Sequence, residues 1–202
     1  MTPIGNSGGR PPPPARAAQS RVLRIIGGTW RGRRLKFPPV AQIRPTPDRV
    51  RETLFNWLGA GVVGARCLDL FAGSGALGLE ALSRGAERVT FVEQDLAAVQ
   101  ALRARLTEWN AVGASVEHAD AAQFLAGTPQ PAGIVFLDPP FDSGLLSQVA
   151  RLLEERGWLS EGARIYVETA ARAGLPPLPE RWRVIRAKQA GAVGYHLLER
   201  CD

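Results

Sequence analysis

A glycine-rich turn between a predicted strand and a predicted helix is the feature that most constrains the fold of this 202-residue chain. The turn covers Asp69–Gly78 and follows the apolar strand pattern of Arg66–Phe71. Gly73, Gly75 and Gly78 have the spacing of nucleotide-binding turns, in which glycines permit a tight bend and bring the backbone close to a ligand. The turn therefore predicts an α/β fold with a ligand at the N-terminus of a helix.

The alternation of strands and helices continues along the chain. The predicted strands are Arg66–Phe71, Arg88–Glu93, Ser115–His118, Ile134–Asp138 and Arg164–Glu168, and the predicted helices are Ala76–Arg84, Asp95–Asn110, Ala121–Ala126 and Gly144–Arg156. Continuous apolar runs in the strands predict a parallel sheet that helices cover on both faces. Trp182–Lys188 and Val193–Glu199 have no helix between them, so they predict a closing antiparallel hairpin.

Basic residues are concentrated at the amino end of the chain. The whole chain carries a formal net charge of +6, and residues 1–51 contain eleven basic residues against one acidic residue. That segment therefore carries +10, and the remainder carries −4. This asymmetry favours an anionic polymer that docks at the amino end. The alternative is a disordered basic tail in an arginine-rich proteome.

Three regions follow from these patterns. Residues 1–20 are rich in Gly and Pro and predict a disordered tail. Residues 21–61 predict a basic β-hairpin around Gly27–Gly32, followed by a helix that Thr46 caps. Residues 62–202 contain the predicted sheet and its ligand site.

The hairpin and the helix after it supply candidate nucleic-acid contacts. Aromatic and guanidinium groups together suit base stacking and phosphate contact. The candidates are Arg24, Trp30, Arg31, Arg33, Arg34, Lys36 and Arg49. The alternative is a solvated hairpin with a half-buried Trp30, and the hairpin pattern alone does not distinguish the two.

Carboxylates lie at or just after the carboxyl ends of three of the predicted strands. Asp69 stands four residues before the first glycine, where it would repel a pyrophosphate but suit the cationic amino end of S-adenosylmethionine. Glu93 ends the next strand, where a carboxylate can accept hydrogen bonds from ribose hydroxyls. Asp120 is placed to meet an adenine amine. The alternatives are that Asp69 caps a loop and that Asp120 caps the helix at Ala121–Ala126.

The tetrapeptide Asp138-Pro139-Pro140-Phe141 ends a strand on the same carboxyl edge as the glycine turn. Its prolines make a stiff, extended segment, so the Asp138 side chain and the Pro139 carbonyl can point together into the cleft. These two acceptors can hold the hydrogens of an –NH2 group while Phe141 stacks on the attached ring. The amine lone pair then faces a methyl donor, and no metal is required. The alternative is a simple strand terminator.

Together with Arg44–Phe55, these motifs resemble the bacterial 16S rRNA (guanine-966-N2)-methyltransferase family, from about Val22 to Arg200. The resemblance implies the class I, Rossmann-like fold: a seven-stranded, mostly parallel sheet with a C-terminal antiparallel hairpin, preceded by a small β-hairpin and a helix. It implies S-adenosylmethionine as donor, S-adenosylhomocysteine as product, and a guanine N2 amine of 16S rRNA in an assembled or nearly assembled 30S subunit as acceptor.

The resemblance also implies roles for individual residues. It assigns Thr46, Asp69, Phe71, Gly73, Ser74, Gly75, Glu93, Gln94, Asp120 and Ala121 to cofactor binding, and Asp138, Pro139, Pro140 and Phe141 to the target base. Residues 21–61 would dock RNA and close over the cofactor, and residues 62–202 would form the catalytic domain. The alternative for the Thr46–Phe55 helix is a packing role, and the region of Tyr195 would flank the base pocket.

Other functions fit the sequence less well. Adenine-N6 methylation of DNA would need an inserted recognition domain, and only 61 residues follow Phe141. The Arg-rich front and the Asp before the prolines disfavour methylation of a protein glutamine. A dehydrogenase would bind NAD at the glycine turn, against the charge of Asp69. A non-catalytic RNA-binding module would need the hairpin but not the tetrapeptide.

Composition sets the expected environment. The two cysteines and two histidines are not paired at close spacing, so they predict neither a disulfide framework nor a zinc site. A cytoplasmic protein is expected, with no membrane segment, because no apolar run approaches a span of about 18 residues. We expect a monomer.

Overall fold

The computed structural model describes residues 21–37, 46–141 and 143–202, without the side chains of Arg21, Lys36 and Phe37. The predicted tail at 1–20, the first two residues of the Arg44–Phe55 motif and the side chain of Lys36 lie outside the described residues. In the described part of the chain, no helix is long and apolar enough to cross a membrane.

The described residues form two antiparallel strands, a seven-stranded sheet and five α-helices. The elements are β1 (Arg21–Arg24), β2 (Arg34–Phe37), α1 (Asp48–Leu58), a 3₁₀ turn (Gly59–Val62), β3 (Arg66–Asp69), α2 (Ala76–Ser83), β4 (Arg88–Glu93), α3 (Leu96–Glu108), β5 (Ala114–His118), α4 (Ala121–Leu125), β6 (Ala132–Leu137), α5 (Leu145–Glu155), β7 (Leu159–Ala170), β8 (Trp182–Ala190) and β9 (Val193–Arg200). The large sheet has the order β5-β4-β3-β6-β7-β9-β8. Its strands from β5 to β7 are parallel, and β9 is antiparallel to both of its neighbours. The predicted sheet and closing hairpin are confirmed.

Strand β7 is longer than its sequence pattern predicts. Its first residue pairs with Ala132 of β6, and its last residues pair with β9 beyond the end of β6. A register irregularity between Ala132 and Ile134 absorbs the extra residues on the β7 side. The strand begins five residues earlier than predicted and continues past Glu168 through Thr169 and Ala170 at the carboxyl edge of the sheet.

The strand order reverses between β3 and β6, which lie side by side although β4 and β5 come between them in the chain. Helices α1–α3 contribute to one buried apolar cluster, and α4 and α5 contribute to the other, so each face of the sheet is covered. In open α/β sheets, ligands bind at the carboxyl ends of the strands on either side of such a reversal. Strand β3 ends at Asp69 and β6 at Leu137, so the two predicted motifs flank this crevice.

A buried carboxylate in α2 fastens the β1–β2 hairpin to the sheet domain. Glu80 is fully buried, and it accepts hydrogen bonds of 2.8 Å from the backbone amides of Ile26 and Gly27. The guanidinium of Arg84 donates to Glu80 at 2.8 Å, and that of the fully buried Arg51 in α1 lies 3.4 Å from it. Because one carboxylate ties three elements together, the hairpin and α1 are anchored to α2.

The hairpin turn meets the end of α2 so closely that a side chain would not fit. Gly28 has a φ of +75°, and a Cβ there would lie 1.7 Å from the Ser83 carbonyl oxygen. That carbonyl accepts a hydrogen bond from the Thr29 amide at 2.7 Å, while the Ser83 hydroxyl accepts one from the Trp30 amide at 2.9 Å. The glycine permits both the left-handed backbone and the close approach.

Candidate active site

A cleft of about 810 Å³ lies at the carboxyl edge of the sheet, across the strand reversal. Of the predicted cofactor residues, it is lined by Thr46, Asp69, Phe71, Gly73, Ser74, Glu93, Gln94, Asp120 and Ala121, and all four residues of Asp138–Phe141 line it as well. The structure therefore brings both predicted motifs to one cavity. Gly75 is the predicted cofactor residue that lies outside the lining.

The charge of the cleft indicates which ligands it can take. Its lining contains five carboxylates, those of Asp69, Glu93, Asp95, Asp120 and Asp138, and among the described residues it contains no Lys, Arg or His. A pyrophosphate would meet like charge from several directions, at a high electrostatic cost in a partly buried site. A ligand with sulfonium and ammonium groups meets opposite charge, so the residues present fit S-adenosylmethionine.

Asp69 is the most deeply buried of these carboxylates. Burial raises its pKa to about 7, and the charge of Glu93 adds to the rise, whereas the backbone amides of Gly78 and Phe71 oppose it. The Gly78 amide donates to its Oδ2 at 3.1 Å. Asp69 therefore has a structural role in the first turn of α2, where the alternative interpretation expected it to cap a loop, and it still lines the cleft.

Glu93 and Asp120 also combine a structural contact with a place in the lining. Glu93 accepts the amide of Gly73 at 2.7 Å and that of Asp95 at 2.8 Å, which ties β4 to the glycine turn. Asp120 is the N-cap of α4 and accepts the amides of its first turn through Oδ1. A carboxylate has about four lone-pair sites, so both residues keep acceptor capacity for a ligand.

The three glycines of the turn occupy different environments. Gly73 lines the cleft and has a φ of +50°. Gly75 precedes α2 with a φ of +76°, and a Cβ there would lie 2.6 Å from Leu102. A Cβ on Gly78 would lie 2.2 Å from the ring of Phe91. Gly75 and Gly78 thus allow the turn and the close packing of α2 on its neighbours, whereas Gly73 can approach a ligand directly.

Asp138 lines the cleft close to two other acids, Glu168 and Asp69. Burial raises its pKa well above the usual range of an aspartate, and the negative charges of Glu168 and Asp69 raise it further. Pro139 is buried, and Phe141 is 41% exposed at the rim. The Ser143 hydroxyl donates to the Pro140 carbonyl at 2.7 Å, which fixes the turn after the tetrapeptide.

Thr46 does not cap α1, contrary to the sequence prediction. The N-cap position is Pro47, which makes no side-chain cap. The Thr46 hydroxyl instead donates to Glu168 at 2.7 Å, across 122 positions of sequence. Local spacing predicted the helix start but could not reveal a partner this distant.

Glu168 is a site residue that the sequence pattern did not single out. It is 3% exposed, and its Oε1 accepts hydrogen bonds from both Thr46 and the Tyr166 hydroxyl, the latter at 2.9 Å. Burial raises the pKa of this carboxyl, and the two hydroxyl donors oppose the rise. The signal available in the sequence was its position, since it ends an apolar strand pattern at the same edge as Asp69 and Asp138.

The predicted nucleic-acid contacts differ in how freely they can meet a ligand. Arg24, Arg31, Arg33, Arg34 and Arg49 are exposed. The half-buried Trp30 packs on Trp109 with ring centroids 5.1 Å apart, and the Arg33 guanidinium lies 5.4 Å from the same Trp109 ring. The exposed arginines are therefore the groups that this surface offers to a polyanion. In the described residues no group of three or more His, Cys, Asp or Glu side chains is placed to hold a metal ion.

Comparison with known proteins gives a consistent family. Residues 23–199 match the family described as Conserved hypothetical protein 95. Over 181 residues the chain is 53% identical to ribosomal RNA small subunit methyltransferase D of Escherichia coli K12, covering 90% of this chain and 91% of that protein. The solved structure of the Escherichia coli protein yhhF has a TM-score of 0.84 at 50% identity, covering 90% of this chain and 99% of that one.

A more distant structure supports the fold alone. An RNA methyltransferase from Salinibacter ruber, solved in complex with S-adenosyl-L-homocysteine, has a TM-score of 0.60 at 20% identity. The alignment covers 79% of this chain and 95% of that one. The class I methyltransferase architecture is thus shared beyond the range of close sequence similarity.

Proposed function

We propose that this chain methylates 16S rRNA. It belongs to the family described as Conserved hypothetical protein 95, and it is 53% identical to ribosomal RNA small subunit methyltransferase D of Escherichia coli. The acceptor is the N2 amine of guanine 966, in an assembled or nearly assembled 30S subunit. The observation that carries this proposal is the acidic cleft with Asp138–Phe141 along its wall. A ribosomal substrate assigns the reaction to the cytoplasm, where the protein acts as a monomer.

The part of the cleft lined by the glycine turn, Glu93 and Asp120 would hold the methyl donor. S-adenosylmethionine supplies an electrophilic methyl group on a sulfonium. Asp69 would meet its cationic amino end, Glu93 its ribose hydroxyls and Asp120 its adenine amine, while Phe71 and the backbone of Gly73 form the adjoining walls. The flanking Thr46, Ser74, Gln94 and Ala121 complete this part of the lining.

The tetrapeptide would hold the acceptor. The lone pair of an exocyclic base amine is delocalised into the ring, so the free amine is a weak nucleophile. An ionised Asp138 and the Pro139 carbonyl accept the two amine hydrogens, which turns the lone pair towards the methyl group and stabilises positive charge that develops on nitrogen. Phe141, exposed at the rim, is placed to stack on the base. Alignment of the reacting groups in such a site contributes on the order of 7–11 kcal/mol in favourable cases.

The test is transfer of a radiolabelled methyl group from S-adenosylmethionine to three acceptors: 30S subunits, 50S subunits and free 16S rRNA. We expect labelling of 30S subunits that lack the modification, with the label mapped to a single guanine N2. Subunits already methylated at that base are the matched control and should take up no label. Labelling of protein alone, or of none of the acceptors, would overturn the proposal.

A further inference from the structure

Glu168 is a buried carboxyl that the proposed transfer reaction does not itself require. It lies near the end of β7, and Leu137 of β6 pairs with Val167 one position before it. Asp138 directly follows the last residue of β6, so continuing the register places Asp138 and Glu168 side by side on the same face of the sheet. When both are ionised, two buried acids side by side repel each other, so each disfavours the charged form of the other.

Glu168 is also the point at which α1 is attached to the cleft. The Thr46 hydroxyl lies immediately before α1, lines the cleft and is committed to Glu168 rather than to a helix cap. At the other end of α1, Trp57 stacks on Tyr195 with ring centroids 5.4 Å apart. Tyr195 pairs with Glu168 in the β7–β9 register. Both ends of α1 are therefore held by the same part of the sheet.

The groups around the two carboxyls are acids and hydroxyls. Asp69 of β3 is close enough to raise the pKa of Asp138, and Glu93 of β4 in turn raises the pKa of Asp69. Tyr166 of β7, Tyr195 of β9 and Thr46 before α1 complete the set. Within the described chain, neither Asp138 nor Glu168 makes a salt bridge. The charge of Glu168 therefore acts on Asp138 without a compensating cation.

We propose that Glu168 is a positioning residue of the methyl-transfer site. It fastens Thr46 and the start of α1 over the cleft, and its negative charge sets the pH range in which Asp138 accepts hydrogens from the target amine. The role of the Glu168 charge rests on the proposed function. The fastening of Thr46 concerns cofactor binding and does not need an RNA acceptor.

The two roles separate in two substitutions. Glu168→Gln keeps an oxygen acceptor for Thr46 and Tyr166 but removes the charge, so Asp138 should ionise at lower pH. Glu168→Ala removes both the acceptor and the charge. Thr46→Val removes the hydroxyl from the other side of the contact. Glu154→Gln is the matched control, since Glu154 is a partly buried carboxyl hydrogen-bonded to Trp182 and Arg200, away from the cleft.

The binding arm uses calorimetric titration with S-adenosylhomocysteine. We expect Glu168→Ala and Thr46→Val to weaken binding about tenfold, the size of one lost hydrogen bond to a charged group. Glu168→Gln and Glu154→Gln should bind within about twofold of wild type. Wild-type affinity in both Thr46→Val and Glu168→Ala would overturn the fastening role. Should Glu168→Ala not fold, Thr46→Val decides this arm.

The activity arm measures single-turnover methyl transfer to 30S subunits between pH 5 and 9. We expect the acid limb of Glu168→Gln to move to lower pH by about one unit, as follows from loss of a neighbouring like charge, while that of Glu154→Gln stays in place. A Glu168→Gln profile that superimposes on wild type would overturn the charge role. A wild-type enzyme that labels no subunit would instead reject the proposed function, and the binding arm alone would then decide on Glu168.

Discussion

At the scale of single residues, Asp69 combines a ligand-binding position with a cost to the folded protein. Its carboxyl is buried with a pKa of about 7, against 3.8 for an ordinary aspartate. Between these values the folded state holds a proton that the unfolded state releases. The stability of the ligand-free protein should therefore fall as pH rises from about 4 to about 7. A cationic ligand that pairs with the carboxylate would offset this loss.

Asp69→Asn should separate these two effects. The amide keeps an oxygen for the Gly78 amide but carries no charge. At pH 8 we expect it to stabilise the ligand-free protein by on the order of 2 kcal/mol, with a much smaller effect at pH 4.5, and to weaken S-adenosylhomocysteine binding. Urea unfolding at both pH values and calorimetric titration measure these changes. A variant that is less stable than wild type at pH 8 would contradict the expectation.

Asp138 should be needed for transfer but not for donor binding. We expect Asp138→Ala to lower the methyl-transfer rate by about 10²–10³-fold, the usual size for loss of one preorganised polar group, and to keep S-adenosylhomocysteine affinity within a few-fold. Single-turnover rates and calorimetry provide the two readouts. Equal loss of both would show that Asp138 acts on the fold of the cleft instead of on the amine.

The raised pKa of Asp138 has a consequence for the wild-type enzyme. Only the ionised carboxylate can both accept an amine hydrogen and stabilise the positive charge that develops on the amine nitrogen. Burial and two acidic neighbours disfavour this ionised form. Activity should therefore fall on acidification at a pH well above the ordinary aspartate value. A rate that stays constant down to pH 4.5 in protein that remains folded would contradict this prediction.

At the scale of elements, Glu80 shows which contacts the sequence could not reveal. The pattern around Gly27–Gly32 predicted a hairpin, and the helical spacing predicted α1, because both depend on neighbours within a few residues. Glu80 lies in α2, where every residue from Ala76 to Ser83 is buried. Apart from Arg84, its partners come from the hairpin and α1, more than 25 positions away. The contact between Thr46 and Glu168, which spans 122 positions, was missed for the same reason.

Glu80→Gln should loosen the attachment of the hairpin. The change leaves the buried Arg51 with Asp48 as its remaining acidic partner and weakens two amide hydrogen bonds. We expect a loss of about 2–4 kcal/mol in the free energy of unfolding. Glu87→Gln is the control, because Glu87 is exposed and its pair with Arg66, at 3.8 Å, should contribute less than about 1 kcal/mol. Equal losses in the two variants, measured by urea unfolding, would refute the anchoring role.

At the scale of the whole molecule, the fold was more predictable than the site. Alternating apolar and helical patterns determine layers and strand direction, so the parallel sheet and the closing hairpin followed from the chain. The strand order and its reversal between β3 and β6 came from the structure. The strand-end rule also brought Asp69, Glu93, Asp120 and Asp138 to one edge. The sequence also offered the cap of α4 by Asp120 as an alternative, and the structure has it. It could not show that Asp69 accepts the Gly78 amide of α2, or that Trp30 packs on Trp109, because these outcomes depend on side-chain packing.

Charge is divided between two surfaces of the molecule. The exposed arginines of the hairpin attract a phosphate backbone, whereas the acidic lining of the cleft, which has no Lys, Arg or His among the described residues, repels one. An RNA strand bound at the hairpin therefore has an electrostatic reason to keep its backbone out of the cleft and to present only a base. This arrangement favours a flipped target nucleotide whose base enters beside Asp138 and Phe141.

If the hairpin binds the backbone, its arginines should govern the salt dependence of RNA binding. The triple variant Arg31→Gln, Arg33→Gln, Arg34→Gln should reduce the slope of log K against log salt by about 2–3, since each phosphate contact contributes about 0.7–0.9. Binding of S-adenosylhomocysteine should not change, because these residues lie outside the cleft lining. Filter binding to 30S subunits over a range of salt concentrations measures the slope.

The control for this variant keeps the net charge equal and changes only the location. Arg151, Arg156 and Arg181 are exposed, on or just after α5 and just before β8. Helix α5 packs in the apolar cluster on the other face of the sheet from the hairpin. Their replacement by Gln removes the same three charges, so any effect of overall charge on the RNA appears equally in both triples. A larger loss of slope in the hairpin triple assigns the backbone contacts to that surface. Equal losses would mean that RNA responds to the net charge of the protein, and the hairpin would lose its docking role.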